Sequence, residues 1–351
     1  MTVPVSFLDL TPIQNDSTSR DALRQAVELA QLADHLGYHR LWYAEHHNTA
    51  GLASAAPEIM IGHIAAKTSA IRVGSGGVML PNHSPLKIAE TFRLLEALFP
   101  GRIDLGLGRA PGTDTMTALA MRRSRQALGG DDYPEQLAEL IAYDDESFPE
   151  DHPFRSIQAI PFDVKLPPLW LLGSSGFSAQ LAAQTGLGFA FASHINRAAA
   201  IPALRAYREE FVPSTRFPEP KAILAVSVTV GETAEQARDL AKINDLVLLR
   251  LRTGQRGRYP TLAEAKTYQF SPTERAMLTQ MPLNYLVGTA DEVREQIEEM
   301  LAASQADEVM LTSMLPEATD RMRIITSMAR EFGLTERGQV TPFPEPAAAT
   351  R

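Results

Sequence analysis

The sequence predicts an α/β protein with the (β/α)8 fold, a single TIM barrel. Two observations carry this expectation: short apolar runs alternate with amphipathic helical stretches along nearly the whole chain, and chemically distinctive residues gather just after the apolar runs. Length is the third, because 351 residues could form two domains but are also taken up by one such barrel.

The elements follow in order. Val3 to Leu10 reads as the first strand, Arg20 to Leu36 as a helix stopped by Gly37, and Arg40 to Ala44 as the second strand. Glycine suits a helix stop because it enters the left-handed region without a Cβ penalty. A helix is expected in Glu58 to Thr68, a third strand through Ile71 to Gly77, and a helix from Leu86 to Leu98 opened by Pro85. Arg102 to Gly108 is the fourth strand, Pro134 to Tyr143 a helix, Leu169 to Gly173 the fifth strand, and Ala179 to Gln184 part of the next helix. Gly188 to Ser193 makes a sixth strand and, after another helix, Ala222 to Val230 a seventh. Asp307 to Ser313 is the eighth, and Thr319 to Glu331 the closing helix.

The excess length falls before the last strand, between Arg252 and Asn284, where Arg, Gly, Thr and Pro are frequent; a stretch of this kind is expected to be a mobile lid. The barrel domain is assigned to residues 1–334. Residues 335–351, with three prolines and little apolar content, are expected to form an extended or disordered tail.

Composition narrows the chemistry. There are 33 Lys and Arg against 42 Asp and Glu, a formal charge of −9, and the basic residues form no stripe, so nucleic acid is not an expected partner. Zero cysteines exclude thiolate catalysis, disulfides, Fe–S clusters and Cys-type zinc sites, so redox work needs a borrowed cofactor. The start MTVPVSFLDL has no basic segment leading into a long apolar one, and no run is long enough to span a bilayer; a cytoplasmic protein without membrane attachment is the expectation.

The distinctive residues lie at strand ends, where barrel enzymes place their active sites. Gly173-Ser174-Ser175-Gly176-Phe177-Ser178 leads from a strand into a helix start, whose free N–H groups and dipole favour an anion, with hydroxyls as further donors. The plainer reading is a helix cap after a tight turn. Arg109 follows strand four, where a guanidinium can fork onto phosphate; the alternative is an ion pair with Asp104 or Asp114. The spacing from Gly106 through Gly108 to Gly112, interrupted by Pro111, is not a dinucleotide fingerprint. In Gly74-Ser75-Gly76-Gly77 the missing side chains admit a flat ligand or relieve a crowded barrel corner. Glu45-His46-His47 offers an acid–base histidine, whereas adjacent strand residues diverge too far to suit a metal, and no metal site is assigned.

Four segments, WYAEHHNTAGLASAAPE, GSGGVMLPNHSPLKIAETFRLLEALFPGRIDLGLGRAPGTD, LWLLGSSGFSAQLAA and LVGTADEV, closely resemble the luciferase-like flavin monooxygenases, in the same order and over roughly Pro4 to Gly333. The resemblance implies reduced FMN as co-substrate. Its phosphate would lie on Arg109, Ser174, Ser175 and Ser178, within the loop Gly173 to Ser178 that includes Gly176. Its ring would lie against Gly76-Gly77, a strand end that in this family often carries a non-proline cis peptide. His46 would stand at the flavin's reactive edge, with Glu45 supporting the pocket. Gly108 occupies the place where light-emitting members carry a cysteine, which is similar to the non-luminescent single-chain branch. The phosphate loop and GRAPGTD resemble the FMN branch more than the deazaflavin one. The implied activity is monooxygenation of a small organic substrate by dioxygen, with a separate NAD(P)H-dependent flavin reductase as partner and a homodimeric assembly. Two other readings stay open: a non-catalytic flavin carrier and a metal-dependent barrel hydrolase.

Overall fold

The computed structural model describes residues 3–123, 132–255, 257–281 and 283–337. Its ten strands are β1 Val5–Asp9, β2 Arg40–Tyr43, β3 Arg72–Ser75, β4 Val78–Met79, β5 Ile103–Gly108, β6 Leu169–Gly173, β7 Gly188–Ala192, β8 Ala222–Val230, β9 Tyr285–Gly288 and β10 Glu308–Thr312. Eight of them close a parallel ring in the order β1, β2, β3, β5, β6, β7, β8, β10 and back to β1. All eight overlap the expected strands. The two others were not anticipated: β4 prolongs the line of β3 and pairs with β5, and β9 pairs with the end of β8 outside the ring.

Strand periodicity sorts side chains into two cores. Phe7, Leu41, Tyr43, Val73, Leu105, Leu171, Phe189 and Leu224 face outward and pack against the surrounding helices. Leu8, Trp42, Trp170, Ala190, Ile223, Ala225 and Met310 form the second cluster, inside the ring. Below them, near the strand starts, the interior is charged. Arg40 donates from Nε and Nη2 to Glu308 and from Nη1 to Asp104 at 2.8–2.9 Å, Arg72 donates from Nε to Asp104 at 3.0 Å, and Ser6 donates to Glu308. Asp104 also accepts the Trp42 indole N–H at 3.1 Å. Burial opposes ionisation of Asp104, but Arg40 and Arg72 outweigh it and its pKa is lowered; at Glu308 burial prevails and the pKa is raised. The plug closes the bottom of the barrel and leaves the opposite end for a ligand.

The helices are α1 Ser19–His35, α2 Pro57–Ala65, α3 Pro85–Leu98, α4 Thr115–Arg122, α5 Tyr133–Asp145, α6 Gly176–Thr185, α7 Ala200–Glu209, α8 Ala234–Arg252, α9 Leu262–Thr267, α10 Pro272–Gln280, α11 Ala290–Ser304 and α12 Ala318–Glu331. Gly37, at φ +87°, follows α1 as expected. Helix α4 was not foreseen; Asp114 caps it by accepting the N–H groups of Met116 and Thr117. No helix among the described residues is long and apolar enough to cross a membrane.

The segment from Arg252 to Asn284, expected to be a lid, contains α9 and α10, the latter opened by a Ser271–Glu274 capping box. Thr335 to Arg337 belongs with the barrel, because Arg337 pairs with Asp34 at 3.0 Å and donates to the carbonyls of His35 and Tyr38. Residues 338–351 lie outside the described residues.

Candidate active site

A cavity of about 630 Å³ opens at the carboxyl ends of the barrel strands, within the range of ligand-sized clefts. Strand alternation builds its walls. Leu8 comes from β1 and Leu10 from just past its end, Trp42 from β2 with Ala44 and His46 beyond it, and Ala190 and Ala192 from β7 with His194 in the turn that follows, each series at i, i+2 spacing. His46 lines the cavity, and so does His47 beside it.

Glu45 does not line the cavity; its buried carboxylate accepts the Met79 N–H at 2.8 Å, Asn82 Nδ2 at 3.1 Å, His47 Nε2 at 2.8 Å and His83 Nε2 at 2.9 Å. Glu45, grouped with His46 from the sequence, thus lies behind the cavity wall, bonded to the residues that line it and to the turn after β4. Burial works against its charge, but the bonds from His83, His47 and Met79 outweigh it and lower its pKa. At His83, burial favours the neutral ring, yet Glu45 raises the pKa overall. His47 both reaches the cavity and binds Glu45.

Burial lowers the pKa of His46, and His47 adds to the effect while Glu45 opposes it. The same cause, burial, pushes His194 down to about 4, with His46 contributing and the Ala225 carbonyl opposing. Two imidazoles that are neutral at pH 7 thus face the cavity. His194 Nδ1 has no hydrogen-bond partner among the described residues. Sequence reading missed His194, which lies in the turn after β7, two residues beyond the strand's end at Ala192 and in step with Ala190 and Ala192.

On another side of the cavity, β6 runs into α6 through Gly173, Ser174 and Ser175, which line it together with Ser178 from the first turn of the helix. None of the three serine hydroxyls has a partner among the described residues. Their neighbours are the N–H groups of a helix start. A Cβ on Gly173 would stand 2.3 Å from Ser178 Cβ, so glycine there lets the helix begin against the strand end. Gly176 is not on the lining, and a Cβ there would meet nothing within 4 Å. The Arg109 guanidinium lies over the Phe177 ring, 4.3 Å from its centroid, which brings a cation to this helix start. Asp104, one ion-pair partner considered for Arg109, is instead committed to Arg40, Arg72 and Trp42.

Gly76, Gly77 and Gly108 all line the cavity, and the Gly76–Gly77 peptide bond is cis. At Gly77 the barrel wall itself demands glycine, because the clash is with backbone, whereas at Gly76 and Gly108 the nearest atoms are side-chain ends that can shift. A Cβ on Gly76 would meet Leu8 Cδ1 at 2.7 Å, one on Gly77 would meet the Gly106 carbonyl oxygen at 2.9 Å, and one on Gly108 would meet Met79 Sδ at 2.7 Å.

Further lining comes from α8 and the chain after it: Val247, Arg250, Leu251, Gln255, Gly257, Arg258 and Tyr259. Tyr259 hydrogen-bonds through its backbone to Ile13 and Asn15 in the loop after β1, so the first part of the long segment roofs that side of the cavity. Among the described residues no cluster of three His, Asp or Glu is arranged to hold a metal ion.

Comparison with known proteins adds an independent line. The sequence profile described as "Luciferase-like monooxygenase" matches residues 3–308. A luciferase-like monooxygenase of Escherichia coli (strain K12) is 42% identical over 316 residues, 90% of this chain and 92% of that protein. The protein YvbT of Bacillus subtilis (strain 168) is 46% identical over 319 residues, 91% of this chain and 94% of its own length. Among solved structures, apo-MsnO8 superposes with a TM-score of 0.87 at 39% identity, covering 95% of this chain and 99% of that one.

Proposed function

Because the chain belongs to the luciferase-like monooxygenase family, we propose that this flavin-dependent enzyme takes up reduced FMN and uses dioxygen to oxidise a small organic substrate. The observation that carries the choice of FMN is Arg109 stacked on Phe177 at the start of α6, beside three unpartnered serine hydroxyls. A phosphate needs charge and several converging donors, and this corner of the cavity supplies both.

In this reading Arg109, Ser174, Ser175, Ser178 and the first N–H groups of α6 hold the phosphate, while Gly76 and Gly77 give the ring a flat wall free of side chains. Bound reduced FMN supplies the electrons that activate dioxygen. The protein supplies the rest. Leu8, Leu10, Leu172, Ala190, Ala192 and Met310 make an apolar chamber that keeps water from the reacting atoms. His46, held neutral by burial, exchanges a proton at an imidazole nitrogen facing the cavity. His194 Nδ1, buried without a partner, is a second position that a ligand can satisfy. Glu45 acts through His47 and the Met79 to His83 turn by fixing their positions.

The reading also assigns a separate flavin reductase as electron source and a homodimer. The exposed apolar side chains Ile59 on α2 and Leu94 and Leu98 on α3, two helices in contact, support the latter. The test is an anaerobic titration with reduced FMN followed by oxygen in the presence of candidate aldehydes, ketones and aromatics. Arg109→Ala is expected to weaken reduced-FMN binding at least ~10-fold, the scale of a lost charge-assisted hydrogen bond. Oxidation of the flavin with no oxygenated product from any compound would refute the oxygenase, and unchanged FMN affinity in Arg109→Ala would refute the phosphate site.

A further inference from the structure

Besides Arg109, the cavity wall carries Arg258, which no carboxylate among the described residues pairs with. Arg258 lines the roof. It donates from Nη1 to the carbonyls of Ser17 at 2.7 Å and Asn15 at 3.4 Å, and among the described residues no carboxylate pairs with it. Carbonyl oxygens fix the guanidinium in place without cancelling its charge, and its Nη2 and Nε donors remain available. The neighbouring Arg250 differs: Glu264 neutralises it at 2.5 Å, and Asn15 binds the same carboxylate.

Position separates Arg258 from the phosphate site. Its anchor is the loop after β1, whereas the serines follow β6, and these strands stand four places apart in a ring of eight. The same cavity offers apolar side chains, among them Leu10, Leu52, Val247, Leu251, Tyr259 and Met314, alongside the polar Arg250 and Gln255. The chain as a whole carries a charge of −9, so the cation at this mouth runs against the general charge of the protein.

We infer that the organic substrate is a small amphipathic acid, an apolar chain ending in a carboxylate, and that Arg258 binds the carboxylate while the roof covers the chain. The inference rests on the reading of this cavity as the oxygenase's substrate chamber. It makes Arg258 a specificity determinant. Anchored at the roof, the carboxylate directs the apolar part of the molecule inward, toward His46 and His194.

The experiment compares octanoate with its uncharged counterpart octanamide by calorimetric titration of the full-length protein loaded with oxidised FMN. The expected result is octanoate binding about tenfold tighter than octanamide, the weight of one partly exposed charge-assisted hydrogen bond. In Arg258→Gln the preference should fall to within about twofold while the affinities for octanamide and FMN stay unchanged. Salt gives a check on the parent protein that needs no variant: octanoate affinity should drop with ionic strength and octanamide affinity should not. Equal affinity for the two probes, no measurable octanoate binding, no salt effect, or a preference retained in Arg258→Gln each overturns the inference. Failure of the protein to bind FMN in the same buffer overturns the flavin reading instead, and a carboxylate preference in the flavin-free protein then still stands.

Discussion

Replacing Glu45 by glutamine separates the electrostatic part of the network behind β2 from its shape. The buried carboxylate accepts from Met79 N–H, Asn82 Nδ2, His47 Nε2 and His83 Nε2, all within 3.1 Å. A glutamine amide has the same outline, and its oxygen can still accept from Met79, but its NH2 group faces donors it cannot pair with. Bonds to a charged acceptor are worth about 1.5–3 kcal/mol each, and the two imidazoles keep some solvent access, so a loss of roughly 2–3 kcal/mol is expected. The pH dependence follows from the two shifts. Glu45 has a lowered pKa in the folded protein, so its contribution is present above its ordinary value of 4.5 and is lost as pH falls through the folded value. His83 has a raised pKa, so its contribution is full below its ordinary value of 6.5 and is lost as pH rises through the folded value. The pair is therefore strongest between 4.5 and 6.5. A double-mutant cycle of Glu45→Gln and His83→Gln, read by urea unfolding, should give a coupling of about 1–2 kcal/mol near ~pH 6 and less than about half of that near ~pH 8.5. A coupling below ~0.3 kcal/mol at the lower pH, or the same value at both, would show that the network is shape alone.

Other outcomes follow from the same geometry. His46→Ala should lower oxygenation about 100-fold, measured as product formed per reduced flavin, with FMN affinity and unfolding midpoint little changed. His47→Ala should move the midpoint, because His47 is bonded to Glu45; loss of turnover in His47→Ala but not in His46→Ala would reverse the assignment. Gly77→Ala should destabilise even the flavin-free protein by about 1–3 kcal/mol, since its Cβ is forced against the Gly106 carbonyl oxygen; unaltered unfolding would contradict the crowding argument. Asp104→Asn leaves two guanidinium groups against the single carboxylate of Glu308 in the buried plug and should cost about 3–5 kcal/mol, whereas a loss under ~1 kcal/mol would mean that water reaches this layer.

Local pattern determined a good deal by itself. The alternation of apolar runs and amphipathic stretches is a property of neighbouring residues, so all eight barrel strands and the site at their carboxyl ends were legible from it. Local pattern alone did not single out His46: the resemblance put it on the inward side, and past the end of β2 both His46 and His47 line the cavity while Glu45 does not. Glycines marked the wall between β3 and β5 without saying whether a ligand or the neighbouring strand demanded them.

What only the tertiary structure decided are the relations between residues far apart in the chain. Asp104 is claimed by Arg40 and Arg72, and so is unavailable to Arg109, because ring closure carries their side chains into one buried layer. His83 reaches Glu45 across 38 positions, and Arg258 reaches Ser17 across 241, distances over which no periodicity operates. The composition of residues 252–284 describes an exposed stretch correctly and yet conceals two helices, because capping and docking on α8 supply the order that polar composition does not. Thr335 to Arg337 is held for a similar reason: one guanidinium finds Asp34 and the Tyr38 carbonyl at the end of α1, partners that exist only once the first and last helices pack together.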